Sequence, residues 1–214
     1  MYISDRRIRS LGRVTDERRS NEERTRTTRA ALLAAARQHF EREGYAATRL
    51  DAVVADASVT KGALYHHFPT KQALYEAVIV AIQDELTAHV DRSARKARTA
   101  WDKVVDGFLS FIEIAPEAGM RRLMLEAPTV LGYERWREID DERNLPAITA
   151  SLARLEAKGE LAFPATVELA ETLLAISNAL GTLVAEADDP ATARDHVLPV
   201  WEHLIRSLRR PASD

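Results

Sequence analysis

Hydrophobic residues recur at the spacing of α-helices along nearly the whole chain. Leu32, Ala36 and Phe40 follow one another at intervals of four residues, and Gly44 comes next as a candidate left-handed helix stop. No alternating, strand-like run of useful length appears, and only eight glycines are spread over 214 residues. The pattern therefore predicts an all-α protein whose first helix begins near residue 28 and ends near Gly44.

Two short helices and one long helix are predicted next. The stretch "TRLDAVVADA" predicts a helix of about two turns that starts at Thr48, which stands at capping-box spacing from an aspartate. A second short helix begins at Thr60 and ends near His67, because Pro69 disfavours the α region for the residue before it. A longer helix starts at Thr70. Short helices joined by a three-residue turn predict a helix-turn-helix arrangement.

Charge divides the chain into two parts. Residues 1–75 carry 14 Lys+Arg against 9 Asp+Glu, whereas residues 76–214 carry 16 against 24. A basic amino-terminal third on an acidic protein indicates that only this part meets a polyanion, although ordinary scatter of surface charge is the alternative. Residues 1–26, rich in arginine and without a clear apolar face, are predicted to form a flexible arm.

After Gly44 the sequence predicts three helices, and at the start of each one a threonine is followed directly by a cationic residue. A cation in the first turn faces the positive end of the helix dipole, which costs roughly 0.3–1 kcal/mol. A bound phosphate reverses the sign of that interaction, because backbone amides, hydroxyl and cation then converge on one anion. Chance placement of solvated cations is the alternative. The pairs are Thr48-Arg49, Thr60-Lys61 and Thr70-Lys71.

The stretch "TKGALYHHFPTK" poses a choice between a metal site and a DNA-binding surface. His66 and His67 are adjacent, so they cannot chelate one metal as an i, i+4 pair does, and the chain has no cysteine. We therefore expect neither a metal nor a cofactor. Leu64 and Phe68 lie four residues apart and should face the core, and a half-buried core tyrosine is the alternative for Tyr65. The remaining side chains form a polar and aromatic strip that suits a major groove: Thr60, Lys61, Ala63, Tyr65 and His66.

The segment "YAATRLDAVVADASVTKGALYHHFPTKQALYEAV" resembles the DNA-binding domain of TetR-family transcriptional regulators. The likeness covers about residues 28–78 and includes the Gly-Tyr after helix one and the "KGxLYxHF" pattern with a following lysine. In the family, glycine usually stands where this chain has Ser58, and a left-handed serine costs on the order of 1 kcal/mol. The resemblance, with Arg49 added from the helix-start pattern, implies these DNA contacts: Thr48, Arg49, Thr60, Lys61, Gly62, Ala63, Tyr65, His66, His67 and Lys71.

The helical pattern of the remaining two-thirds of the chain predicts a second, larger domain. The proposed division is a DNA-binding domain at residues 27–75 and a regulatory and dimerisation domain at residues 76–214. Thr99 and Asp102 have capping-box spacing at one helix start, and Pro146 leaves open whether a later segment is one helix or two. Mixed aromatic, methionine and amide side chains are candidates for lining a ligand pocket, with plain core packing as the alternative: Trp101, Phe108, Phe111, Met124, Tyr133, Trp136 and Asn178.

The last two predicted helices carry hydrophobic residues at alternating spacings of three and four, which is typical of a packing seam. In the TetR family the last two long helices of each subunit form a four-helix dimer interface, so the resemblance implies a homodimer. An intramolecular core without a partner is the alternative. The predicted interface residues are Leu169, Leu173, Ile176, Leu180, Leu183, Val197, Trp201, Leu204 and Leu208.

The resemblance implies a homodimeric, sequence-specific transcriptional regulator, most often a repressor, that a small-molecule effector releases from a palindromic double-stranded DNA operator. A DNA-binding regulator of the same fold without small-molecule control is the alternative. An enzyme, and hence a catalytic residue, is not expected, because the chain lacks Gly-x-Gly phosphate loops, His-Glu-x-x-His and Gly-x-Ser-x-Gly. Neither a signal-peptide core nor a bilayer-spanning apolar run appears, so a cytoplasmic location without membrane contact is predicted.

Overall fold

The computed structural model describes residues 5–99, 101, 102, 105 and 118–211, and this part of the chain is almost entirely helical. The all-α prediction is confirmed. Within these residues the extended pairing is confined to one isolated bridge between Leu161 and Arg209. The helices are α1 (Asp5–Ala47), α2 (Leu50–Asp56), α3 (Lys61–His67), α4 (Lys71–Ala94), α5 (Ala118–Leu131), α6 (Tyr133–Ala157), α7 (Val167–Glu186) and α8 (Pro190–Ser207).

The chain divides into two compact units, Met1–Val78 (unit 1) and Ile79–Asp214 (unit 2). Unit 1 has a small core to which each of its four helical segments contributes fully or almost fully buried side chains. The predicted inward face of the first helix and the predicted burial of Leu64 and Phe68 are confirmed. These core residues are Leu32, Ala36, Phe40, Val53, Leu64, Phe68, Leu74 and Tyr75.

Helix α1 is longer than the sequence pattern predicts. It begins at Asp5 rather than near residue 28, so the predicted helix start is wrong. Residues 5–27 contain no proline and many arginine and glutamate residues, which favour helix even without an apolar face. The flexibility of the arm stays a prediction. Gly44 has φ 81° and kinks the helix, in agreement with its predicted left-handed conformation.

The turn between α2 and α3 has the hydrogen bonds of a Schellman motif. The Val59 N–H donates to the Val54 carbonyl at 3.2 Å, and the Ser58 N–H donates to the Ala55 carbonyl at 3.0 Å. Ser58 has φ 54° and is the one non-glycine residue with positive φ among those described. A serine therefore stands where this motif favours glycine, and the left-handed turn predicted from the sequence is present.

Unit 2 is built by α5–α8 and the second part of α4. The helical turn that follows Thr99 begins with a reciprocal capping box. The Thr99 N–H donates to Asp102 Oδ2 at 3.1 Å, and the Asp102 N–H donates to Thr99 Oγ1 at 3.0 Å. This capping prediction is confirmed. Pro146 lies inside α6, which continues as one helix to Ala157, so the question left open by the sequence is answered in favour of a single helix.

Helix α7 is long and apolar enough to cross a bilayer by length and composition alone. In the structure, however, its inner face packs into the core of unit 2, where Ala170, Leu173 and Val184 join Trp201 and Ile205 of α8. Core helices of soluble proteins pass the same test. The helix is therefore weak support for a membrane span.

Replacing Ser58 by glycine should stabilise unit 1. Glycine adopts φ 54° without the Cβ clash that serine suffers, and its greater unfolded-state entropy offsets part of the gain. We expect Ser58→Gly to raise the free energy of unfolding by up to about 1 kcal/mol, measured by chemical denaturation followed by circular dichroism. Ser58→Ala keeps the Cβ and should give no such gain; equal stabilisation by both variants would contradict the explanation.

Candidate nucleic-acid interface and internal cavity

Two of the three threonines at predicted helix starts act as caps. The Ala63 N–H donates to Thr60 Oγ1 at 3.1 Å, and the Ala73 N–H donates to Thr70 Oγ1 at 3.0 Å. Each hydroxyl thus satisfies an amide that the helix itself cannot pair. The start of α3 and the start of α4 are therefore fixed by the residues that the sequence pattern indicates.

Thr48 is not a cap, and this prediction is wrong. Its Oγ1 donates to the Gly44 carbonyl at 2.8 Å, and only 3% of the residue is exposed. The same carbonyl also accepts the Thr48 backbone N–H at 3.3 Å, so the hydroxyl adds a second hydrogen bond to it. Arg49 is the N-cap residue of α2 and makes no capping bond with its side chain. The buried Thr48 side chain is poorly placed to contact DNA, so we assign it to the core of unit 1.

Helix α3 buries one side and exposes the other. Leu64 and Phe68 are 0% and 3% exposed, whereas Tyr65 is 46% exposed. Lys61, Gly62 and His66 are exposed as well, while Ala63 and His67 are half-buried. The strip predicted to face DNA therefore lies mostly on the accessible side of the helix, and Tyr65 belongs to that side rather than to the fully buried core.

Gly62 is not required by the fold of the free protein. A Cβ added at this residue would meet only Thr60 Oγ1, at 3.9 Å, which is an ordinary contact distance. Glycine in a helix is less stable than alanine by roughly 0.8–1 kcal/mol. The absence of a side chain at Gly62 thus has no structural advantage within unit 1. It does leave the backbone of α3 uncovered beside Lys61.

Lys61 is paired with an acidic residue of α2. Its Nζ lies 2.8 Å from Asp51 Oδ1, and both side chains are more than half exposed. The hydrogen bond with Lys61, more than its charge, lowers the pKa of Asp51, and the same bond raises the pKa of Lys61. The pair joins α2 to α3 and holds the ammonium group at the exposed surface.

Lys71 connects the start of α4 with the end of α1. Its Nζ donates to the Ala46 carbonyl at 3.2 Å and lies 4.7 Å from the centroid of the Tyr45 ring. Burial lowers the pKa of Lys71. Tyr45 in turn packs edge-on against Tyr75, with ring centroids 5.1 Å apart. A substitution at Lys71 will therefore disturb packing as well as charge.

A buried histidine joins α1 to α2, and sequence reasoning missed it. His39 is 3% exposed, its Nε2 lies 2.7 Å from Asp56 Oδ2, and its Nδ1 lies 3.1 Å from Glu43 Oε1. The helical spacing from His39 to Glu43 was a usable signal, but Asp56 lies 17 residues away. Among the described residues, no group of three or more His, Cys, Asp or Glu could hold a metal ion.

Unit 2 contains a cavity of about 40 Å³. Met124, Trp136 and Asn178 line it as the sequence predicts, whereas Trp101 is a core residue and Tyr133 is 62% exposed. Trp101 and Tyr133 do not line this cavity, because hydrophobic type alone does not say which side of a helix faces it, and their assignment to a ligand pocket stays a prediction. Phe108 and Phe111 lie outside the described residues. The other lining residues are Leu86, Met120, Leu125, Gly181, Thr182 and Ala185.

A buried carboxylate lies next to one cavity residue. Asp140 is 3% exposed, and its Oδ2 accepts a hydrogen bond from Asn178 Nδ2 at 2.6 Å. Its Oδ1 accepts from Gln83 Nε2 at 3.2 Å and from Asn144 Nδ2 at 2.8 Å. Burial raises the pKa of Asp140, and the hydrogen bond from Asn178 opposes the rise. Three side-chain amides thus donate hydrogen bonds to this carboxyl group, and the bonds connect α4, α6 and α7.

The predicted seam on α7 and α8 is mainly an internal one. Leu173 and Trp201 are 5% and 0% exposed and belong to the core of unit 2, so they are not interface residues. The outer side of the two helices carries Leu183, Leu204 and Val200, which are 58%, 42% and 55% exposed. Five further predicted residues are partly buried against the same core: Leu169, Ile176, Leu180, Val197 and Leu208.

A short helix with an exposed basic start, held on a three-helix core, defines a helix-turn-helix DNA-binding protein. The family model "Bacterial regulatory proteins, tetR family" matches residues 32–78, and "Tetracyclin repressor-like, C-terminal domain" matches residues 101–208. The chain belongs to the TetR family of transcriptional regulators, which bind DNA and are not enzymes.

Individual relatives agree with this assignment. The A-factor receptor protein of Streptomyces griseus is 29% identical over 188 residues, which are 85% of this chain and 63% of that protein. The HTH-type transcriptional regulator UidR of Escherichia coli is 32% identical over 100 residues, or 46% of this chain and 49% of UidR. A TetR-family regulator from Pectobacterium atrosepticum has a crystal structure with TM-score 0.78 and 27% identity, covering 89% of this chain and 98% of that one. The chain thus spans less than two-thirds of these two curated relatives.

Asp140 should make the stability of the protein depend on pH. Its pKa is raised in the folded state, so the folded protein binds the proton more tightly than the unfolded chain. The contribution of Asp140 to the free energy of unfolding is complete below the ordinary aspartate pKa of about 3.9. It is lost as the pH rises through the raised pKa of Asp140 in the folded protein. Relative to Asp140→Asn, which does not titrate, the free energy of unfolding of the wild type should fall over this range in chemical denaturation. A difference that is constant with pH would contradict the prediction.

Proposed function

We propose that the protein is a homodimeric, cytoplasmic repressor that binds a palindromic operator and is released from it by a small molecule. The observation that carries this proposal is the exposed side of α3, where Lys61 and Gly62 follow the threonine cap and Tyr65 and His66 lie further along the helix. Two such helices related by a twofold axis fit half-sites about one helical turn apart, or roughly 34–36 Å.

DNA binding requires Lys61 to exchange its partner. In the free protein its ammonium group is paired with Asp51 at 2.8 Å, and on DNA a phosphate oxygen would take the place of that carboxylate. The amides at the start of α3 add to the attraction for an anion, and Gly62 lets the DNA backbone approach closely. Arg49, Tyr65, His67 and Lys71 would add further contacts, chiefly to phosphates.

Dimerisation is supported by the exposed apolar side chains on the outer side of α7 and α8. Leu183, Val200 and Leu204 are each more than 40% exposed. Clusters of large apolar residues on a soluble surface are typical of protein interfaces. We assign these three residues to a four-helix interface between two copies of the chain, together with the half-buried members of the predicted seam.

Ligand control is supported by the cavity lined by Met124, Trp136 and Asn178. Its volume of about 40 Å³ is well below the roughly 150 Å³ of a cavity that holds benzene. The small size favours the alternative of a regulator without small-molecule control. The methionines and the polar groups at its wall favour a cavity that opens for a ligand, since methionine side chains rearrange readily.

Gly62→Ala tests the DNA-binding proposal without harming the fold. Alanine should raise the free energy of unfolding by up to about 1 kcal/mol, whereas its Cβ should keep the DNA backbone away from α3. We expect affinity for a duplex selected from random-sequence DNA to fall at least about tenfold, or 1.4 kcal/mol, in fluorescence anisotropy.

Ala73→Gly is the reverse change on α4 and serves as the matched control. It should lower stability through helix propensity and leave DNA affinity unchanged. Lys61→Gln should weaken binding and reduce its salt dependence by about one released counterion. If Gly62→Ala binds the selected duplex as tightly as the wild type, the proposed approach of DNA to α3 is incorrect.

Leu204→Glu should weaken the proposed dimer. By symmetry each dimer would bury two unpaired carboxylates at the interface, which is strongly unfavourable. We expect the dimer dissociation constant to rise more than about tenfold, measured by sedimentation velocity. Phe163→Glu is the control, because Phe163 is 53% exposed and lies outside both helices. An equal effect of both changes, or none of either, would count against an interface on α7 and α8.

A further inference from the structure

The cavity of unit 2 has an apolar wall with few polar groups. Four of its lining side chains are leucine or methionine, and among the described lining residues none is charged. The polar candidates are the Trp136 indole, the Asn178 amide and the Thr182 hydroxyl. Thr182 Oγ1 already donates its proton to the Asn178 backbone carbonyl at 2.9 Å, so this hydroxyl can offer a ligand only an acceptor.

The indole N–H of Trp136 has no acceptor within the part of the chain that the structure describes. Its Nε1 is buried, and no described residue accepts a hydrogen bond from it. Buried polar groups are nearly always paired, because an unpaired donor loses its hydration without compensation. A hydrogen-bond acceptor on a molecule inside the cavity would remove this deficit.

Asn178 presents the complementary group. Its Nδ2 donates to Asp140 Oδ2 at 2.6 Å, so the amino group of the amide faces that carboxyl group. The orientation of the amide is therefore fixed, which leaves Oδ1 as a free acceptor, since no described residue donates to it. Gln83 and Asn144 hold Asp140 in turn, so the amide is oriented by a network rather than by one bond.

Building on the proposed ligand control, we propose that this cavity binds small, uncharged, mainly apolar molecules that carry a hydroxyl group. The hydroxyl oxygen accepts the hydrogen bond of Trp136 Nε1–H, and its proton is donated to Asn178 Oδ1. Among the described lining residues a charged ligand finds no counterion, because none of them is charged and the oxygens of the neighbouring Asp140 already accept hydrogen bonds from three amides. Entry of a ring requires Met120 and Met124 to move, so binding enlarges the cavity.

The test compares phenol with toluene, in which a methyl group replaces the hydroxyl group. Each is titrated into the full-length protein while the indole N–H resonances of Trp101, Trp136 and Trp201 are followed by NMR, and cyclohexanol with methylcyclohexane forms a second pair. We expect both hydroxyl compounds to shift the Trp136 resonance alone and to bind at least about tenfold more tightly than their methyl partners.

Asn178→Leu should abolish the preference for phenol over toluene. Thr172→Val on the same helix is the matched control, because Thr172 is exposed, lies outside the cavity and bonds only to the Glu168 carbonyl. The proposal is overturned if neither hydroxyl compound moves the Trp136 resonance, if each pair binds equally, or if benzylammonium binds more tightly than phenol. Retention of the preference by Asn178→Leu would overturn it too.

Anisotropy of the selected duplex, measured with and without phenol, separates this inference from the proposed function. Phenol binding without loss of DNA affinity would refute ligand release and leave the cavity assignment intact. Conversely, if the protein binds the duplex but phenol does not shift the Trp136 resonance, the cavity assignment is refuted and the DNA-binding function stands.

Discussion

The burial of Leu64 and Phe68 is the constraint on which the DNA-facing surface depends. Helix α3 has seven residues, and an isolated helix of that length is unstable in water. Its two buried side chains lie four residues apart, so they fix both the existence of the helix and its rotation about its own axis. Lys61 and Tyr65 are exposed as a consequence. The exposed side of α3 is thus determined by the buried side.

The cations of this surface are held by partners within unit 1. Lys61 is paired with Asp51, and Lys71 lies against Tyr45 and the Ala46 carbonyl. An anion that binds either lysine must therefore compete with protein groups as well as with water and counterions. The exposed pair with Asp51 is screened by solvent and exchanges easily, whereas Lys71 is bound to the end of α1. The two lysines therefore differ in how readily they can leave their partners within unit 1.

The interior of unit 2 combines a fully bonded polar network with an incompletely bonded cavity wall. Asp140 receives three amide donors from side chains of three helices, which makes their mutual arrangement specific. Asn178 belongs to this network and also to the cavity. A ligand that contacts Asn178 therefore acts on a group connected through Asp140 to Gln83 of α4. Any ligand-driven shift requires contacts that differ between two states, and Asn178 is a residue at which such contacts would arise.

Local signals in the sequence were sufficient to predict the helical fold, the caps at Thr60 and Thr99 and the buried side of α3. They also indicated the left-handed backbone conformation at Ser58. Each depends on residues a few positions apart, and the chain itself fixes those distances. Only the tertiary structure decided that Thr48 is buried, that Lys61 pairs with Asp51 and that Trp201 is a core residue. It also joined Gln83 to Asp140 across 57 residues. These contacts depend on how helices pack, and helical periodicity specifies an apolar side without specifying which partner covers it.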